Sequence, residues 1–120
     1  MARFISIMNH KMIGEQLLAA LQMGEVLEVP FPNVPSNASS FEVAKLGDDL
    51  ISQISPVEGD IFQVAGEPTL TCYLVSKLKK LGYKVVNSTT ERVSVEEVLP
   101  DGSTRKTNLF KFVQFREFIV

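Results

Sequence analysis

The sequence holds one cysteine, one histidine and no apolar run longer than a few residues, and each scarcity closes off a class of function. A single thiol, Cys72, has no partner for an internal disulfide, and no charged-then-apolar leader opens the chain. A cytoplasmic protein is therefore expected rather than a secreted, cross-linked one. A membrane span needs roughly 20 apolar residues, and nothing approaches that length. One His and one Cys do not make a structural zinc set, so neither a metal nor a cofactor is expected. Cations are also short: 12 Lys and Arg stand against 14 Asp and Glu, a net charge of −2, with an isoelectric point near 5.4. That balance lacks the electrostatic footprint of a binder of long DNA or RNA, while a small charged ligand stays open.

What is present suits a single domain spanning residues 1–120, because 45% hydrophobic with 22% charged residues can bury a core of ordinary size. Phe4–Met8 reads as a buried strand that stops at Asn9-His10. From about Met12 to Gln22 the apolar positions Ile13, Leu17, Ala20 and Leu21 recur at helical spacing, and Gly24 follows as a helix-ending glycine. Val26–Val29 reads as a second strand, which Pro30, Pro32 and Pro35 turn into extended loop. Ser39 or Ser40 caps a helix with Val43, Gly47, Leu50, Ile51 and Ile54 inward, closed by Pro56; a glycine at 47 is unusual there. Ile61–Ala65 has the continuous apolar look of a central parallel strand. It ends at Gly66-Glu67-Pro68-Thr69, where Pro68 suits a first helical turn ahead of an apolar stripe at Leu70, Tyr73, Leu74, Leu78 and Leu81. Gly82 ends that helix, and Tyr83–Asn87 is a fourth strand running into the polar cluster Ser88 to Arg92. Val93–Leu99 and Thr104 to about Phe118 form a terminal hairpin around Pro100-Asp101-Gly102. Alternation slips at Glu96-Glu97 and at Phe112-Val113, as at bulges or in a strand buried on both faces.

The order β-α-β-α-β-α-β followed by a hairpin predicts an α/β, Rossmann-like three-layer domain with a mostly parallel sheet and a C-terminal β-hairpin. Such sheets bind ligands beyond the carboxyl ends of their strands. Three clusters fall there: Asn9-His10, Gly66-Glu67-Pro68-Thr69, and Ser88-Thr89-Thr90-Glu91-Arg92. The Gly66–Thr69 junction can aim first-turn N–H groups at an anion. Glu67 reads equally as an ordinary cap, and the pattern is neither a dinucleotide fingerprint nor a phosphate loop. His10 can orient a ribose hydroxyl or take its proton, or simply be a turn residue. Arg92 offers a planar fork for phosphate beside three hydroxyl residues, or a surface pair with Glu91. Cys72 reads as a small core residue, and Asp48-Asp49 and Glu96-Glu97 as solvated neighbours pointing apart. Phe110, Phe112, Phe115 and Phe118 suit a core or a dimer interface and are also able to stack on nucleobases.

Three stretches taken together resemble a known family. Gly59-Asp60-Ile61-Phe62-Gln63-Val64-Ala65-Gly66-Glu67-Pro68-Thr69, Ser88-Thr89-Thr90-Glu91-Arg92, and Leu99-Pro100-Asp101-Gly102 with Phe112-Val113-Gln114-Phe115-Arg116 resemble the small stand-alone Csx-type CRISPR-associated proteins of type III systems. Asn9-His10 stands where that family carries a short polar motif, and Ala65 departs from the glutamine the family tends to show before Gly-Glu. The resemblance implies a CARF-like domain, a homodimer, and a cyclic oligoadenylate ligand such as cyclic tetra-adenylate. It also implies ring nuclease activity that switches off antiviral signalling. Under it, His10, Glu67 and Arg92 are the expected catalytic residues, with Asn9, Gly66, Pro68, Thr69, Ser88, Thr89, Thr90 and Glu91 around the ligand. A ring has rotational symmetry, so a two-fold dimer presents each cluster twice, and attack by a ribose 2′-hydroxyl needs alignment rather than a strong protein nucleophile. A binding protein that sequesters the ring is the alternative. A mononucleotide- or flavin-binding protein is a third reading, which the missing glycine-rich fingerprint disfavours.

Overall fold

A computed structural model describes residues 2–120. The elements run β1 (Arg3–Ile7), α1 (Gly14–Met23), β2 (Glu25–Val29), α2 (Ser40–Ile54), β3 (Ile61–Val64), α3 (Pro68–Lys80), β4 (Lys84–Val98) and β5 (Thr104–Glu117). They build one sheet in the order β2-β1-β3-β4-β5, with β2, β1, β3 and β4 parallel and β5 antiparallel to β4. This is the expected α/β architecture with a mostly parallel sheet, and it is compatible with a Rossmann-like fold.

Side-chain alternation along the central strands divides the core into two layers. Ile5, Ile7, Phe62, Val64 and Val85 face α2 and α3, meeting Val43, Leu50, Leu70, Leu74 and Leu78. Phe4 and Val86 face α1, meeting Met12 and Ala20. The glycine at 47 has a packing reason. A Cβ there would lie 2.7 Å from the Tyr73 ring, so its absence lets α2 and α3 close together, and the Tyr73 hydroxyl then donates to Asp48 at 2.6 Å. Ser39 and Glu42 form a reciprocal capping box at the start of α2, which holds two first-turn donors.

Several sequence expectations need correction. Ile13 is 77% exposed, because α1 begins one residue later and leaves it in extended backbone. Leu21 also faces water, since it lies about 100° around the helix from Ala20. Leu81 falls at the C-cap of α3, past the stripe, and Cys72 points outward on the side away from Leu70, Leu74 and Leu78. The larger correction concerns β4. The fourth strand and the first strand of the hairpin are one 15-residue strand, so the sheet has five strands and Ser88 to Arg92 lies inside β4, not in a loop after it. β4 touches β3 only at Lys84–Val86 and beyond that pairs with β5 alone. A two-stranded ribbon buries neither face, so a polar cluster there no longer marks a strand end. The slip at Phe112-Val113 is a bulge, with the register shifting opposite Thr89 and Thr90, whereas Glu96 and Glu97 pair regularly with Lys106 and Arg105. The arm lengthens the molecule to 57 Å and raises its radius of gyration to 17.6 Å, against about 14 Å for a compact domain of this length.

At the amino edge of the sheet, Asp60 is buried and ties β1 to the entry of β3. Its Oδ1 accepts from the Arg3 N–H at 3.0 Å, and its Oδ2 accepts from the Arg3 guanidinium at 2.8 Å and the Val57 N–H at 2.9 Å. Burial pushes the carboxyl pKa up, but the Arg3 guanidinium and the two backbone donors together outweigh it and hold the group below its ordinary value. A depressed carboxylate pKa contributes stability above the unfolded value and loses it as acid protonates the group. Asp60→Asn is therefore expected to lower unfolding stability at neutral pH by about 3 kcal/mol, the low end for a broken buried pair because Arg3 is partly open to water. Urea denaturation checks this, and the deficit relative to wild type should shrink as the pH falls below the ordinary carboxylate range.

Candidate functional site

The helices that leave β1 and β3, α1 and α3, pack on opposite faces of the sheet, which makes the carboxyl edge between β1 and β3 the point where the sheet order reverses and where ligands of such sheets are held. The loops on this edge are tied to one another. The Asn9 side-chain oxygen accepts from the Phe31 N–H at 3.1 Å, the Met12 N–H donates to Glu28 at 2.8 Å, and the Met8 N–H donates to the Val29 carbonyl. Asn9, His10, Lys11, Glu28 and Pro30 line a cleft of about 190 Å³, and His10 is exposed at its rim.

Gly66 and the start of α3 are occupied from within. The Phe31 ring is buried against Gly66 so closely that a Cβ there would overlap it, so the glycine admits a phenyl ring of the same chain. Glu67 is the N-cap of α3. Its carboxylate accepts from the Leu70 N–H at 2.8 Å, its carbonyl takes the Thr71 N–H, and Pro68 has no N–H to offer. The Leu70 N–H, with help from Thr69, holds the Glu67 pKa below its ordinary value. The group is therefore an anion at neutral pH, sitting where an incoming phosphate would have to approach. Glu67 and Thr69 line a separate cleft of about 400 Å³ with Val34, Ser36 and Ser40.

A third cleft, about 320 Å³, opens between α1 and the arm, lined by Ile13, Glu15, Gln16, Thr90, Phe110 and Phe112, with Lys111 alongside. It and the His10 cleft flank the segment Lys11–Ile13. α1 is the helix without a side-chain cap, in contrast to α2 and α3. Period-two alternation puts Ser88, Thr90 and Arg92 on the arm face toward α1, with Arg92 directly across from Phe110. The same rule turns Thr89 and Glu91 to the opposite face, where Thr89 donates to the Gln114 carbonyl. The Arg92 side chain makes no ion pair or hydrogen bond among the described residues, Glu91 included. Asn9 and His10 thus line one cleft beside the β1–α1 turn and Thr90 lines the other, with Arg92 two residues further out on the same face of the arm, while Gly66, Glu67, Pro68 and Thr69 lie on the α2–α3 side. Among the described residues no three His, Cys, Asp or Glu side chains come together to hold a metal.

Gln16, Gln63 and Ser6 were not singled out by the sequence. Gln63 and Ser6 are buried neighbours across β1 and β3. The Gln63 amide donates to the Ser6 hydroxyl at 2.9 Å and its oxygen accepts from the Gln16 amide at 3.2 Å. The available signal was a glutamine in the middle of an otherwise apolar central strand, since a buried amide must be paired.

Fold and clefts define an α/β protein with polar side chains lining clefts at the carboxyl edge of a mostly parallel sheet, and among the described residues no helix is long and apolar enough to cross a membrane. The Uncharacterized protein MJ1673 family matches residues 2–116, and the chain belongs to that family. No curated protein and no solved structure matches it.

The Phe31–Gly66 contact is directly testable. Gly66→Ala is expected to destabilise the wild-type fold by about 1–3 kcal/mol through overpacking. The same substitution should cost much less in a Phe31→Ala background, and a double-mutant cycle by chemical denaturation measures the coupling.

Proposed function

We propose that this protein binds a cyclic oligoadenylate of the tetra-adenylate class as a cytoplasmic homodimer and linearises it, acting as a ring nuclease of type III CRISPR signalling. The observation that carries the reading is a pair of clefts flanking the β1–α1 turn of an otherwise acidic chain, one lined by His10 and Lys11 and the other by Thr90, with Arg92 two residues beyond Thr90 on the same strand face. These side chains are a proton carrier, cations and a hydroxyl placed where α/β sheets bind phosphorylated ligands. The ordered resemblance of three sequence stretches supplies the ligand class.

In this reading the ring's phosphates lie along the inner arm face, held by Thr90 and Ser88, and Arg92 neutralises charge building on the scissile phosphate. His10 takes the proton from a ribose 2′-hydroxyl as its oxygen bonds to the adjacent phosphorus. The P–O5′ bond breaks, O5′ is protonated, and a 2′,3′-cyclic phosphate end remains. Glu67 is spent as a helix cap, which leaves His10 as the proton carrier of the two. Two-fold pairing of protomers would present each group twice around the symmetric ring.

Labelled cyclic tetra-adenylate incubated with the protein should chromatograph as linear product. His10→Ala and Arg92→Ala should each slow opening by about 100-fold, whereas Glu67→Ala should lower the melting temperature and leave the rate per folded molecule near wild type. Wild-type rates in both the His10 and Arg92 variants would overturn the site. Intact rings recovered after denaturation would make the protein a sequestering binder instead. Light scattering should give twice the 13.3 kDa chain mass.

A further inference from the structure

A line of aromatic rings leads from the core to the arm. Phe4, fully buried, meets Phe115 at 4.8 Å between ring centroids, and Phe115 meets Phe112 at 5.0 Å. There the line stops. Phe110, two residues further along the same face of β5, is 74% exposed and has no aromatic neighbour among the described residues. Side chains two apart on one strand face stand roughly 6.6 Å apart, about twice the 3.4 Å rise of stacked bases. One planar ring entering between Phe112 and Phe110 would continue the line. The open side of this gap is the cleft that Gln16 and Glu15 also line.

Gln16 is held for a purpose its own helix does not require. One of its amide hydrogens goes to the fully buried Gln63, which Ser6 orients in turn. This fixes the plane of the Gln16 amide, while its oxygen and second hydrogen have no partner among the described residues. An acceptor beside a donor on a fixed amide matches the edge of adenine, whose N6 amine donates and whose ring nitrogen accepts. Glu15 is a second acceptor at the same place. A 6-oxo purine would bring its carbonyl against these acceptors and leave them unpaired.

We propose that the cleft between α1 and the arm is an adenine slot, in which the base stacks between Phe112 and Phe110 and is read by Gln16, with Gln63 as the positioning residue. The slot rests on the ring-binding reading for its place beside a phosphate track, but it can be tested without a ring.

The test is a titration of the full chain with AMP and with IMP, followed by NMR at the Gln16 side-chain amide and the Phe110 and Phe112 rings. AMP should move these signals and bind about fivefold tighter than IMP, or better. Gln16→Leu should remove the preference, and Phe110→Ala should weaken both nucleotides about fivefold or more through lost stacking. The slot is overturned if millimolar AMP leaves these signals unmoved, if AMP and IMP bind alike, or if Gln16→Leu keeps the preference. The same holds if Phe110→Ala breaks a dimer without touching AMP affinity. Linearisation of cyclic tetra-adenylate together with equal AMP and IMP binding would sink the slot alone. AMP preference without ring binding would sink the ring reading and keep the slot.

Discussion

The short length of β3 governs most of what is distinctive in this molecule. With 4 residues in β3 and α3 starting almost at once, β4 has a parallel neighbour for only its first three residues. The rest of its length must find all its backbone partners on β5. The consequence is an arm that leaves the sheet at the carboxyl edge, the edge on which this fold class places ligands. A free two-stranded ribbon is only marginally stable in water. Here it is anchored at its base, where the bulge at Val113 puts Phe112 and Phe115 on one face, so that Phe115 packs on Phe4 and Phe112 packs on Phe115.

The carboxyl edge itself is closed largely from within. Phe31 fills the space over Gly66, Asn9 holds the Phe31 backbone, and Glu67 satisfies the first turn of α3. Features that read from the sequence as an anion site are therefore internal structure, each satisfied by another part of the chain. Groups without a side-chain partner among the described residues include His10, the free half of the Gln16 amide and Thr90, which line the two clefts beside the β1–α1 turn, and Arg92 further out on the arm. Chemistry at this edge has to be built from those groups, which moves the candidate site from α3 to α1 and the arm.

The alternation of elements was legible because strong local signals agreed: apolar runs for β1 and β3, a capping serine for α2, Pro68 at the start of α3, and the Pro100-Asp101-Gly102 turn. Gly47 was legible only as an oddity, because its cause is the Tyr73 ring on a different helix. Ile13 and Leu21 were misplaced because α1 is short and offers the sheet a narrower stripe than its sequence pattern implies. The polar cluster at Ser88 to Arg92 was read as a loop because polar residues mark strand ends only where the strand has a buried face. Gln63 was passed over because its importance lies in its pairing with Ser6 and Gln16, 57 and 47 positions away.

By itself the sequence determined the class of fold, the central strands and the turn of the hairpin, since these follow from local periodicity and from residues with restricted backbones. Tertiary structure alone decided which polar residues are spent and which are free. Glu67 and Asn9 carry the same oxygen atoms whether they cap a neighbour or face a ligand, and only the approach of distant chain segments settles which of these they do.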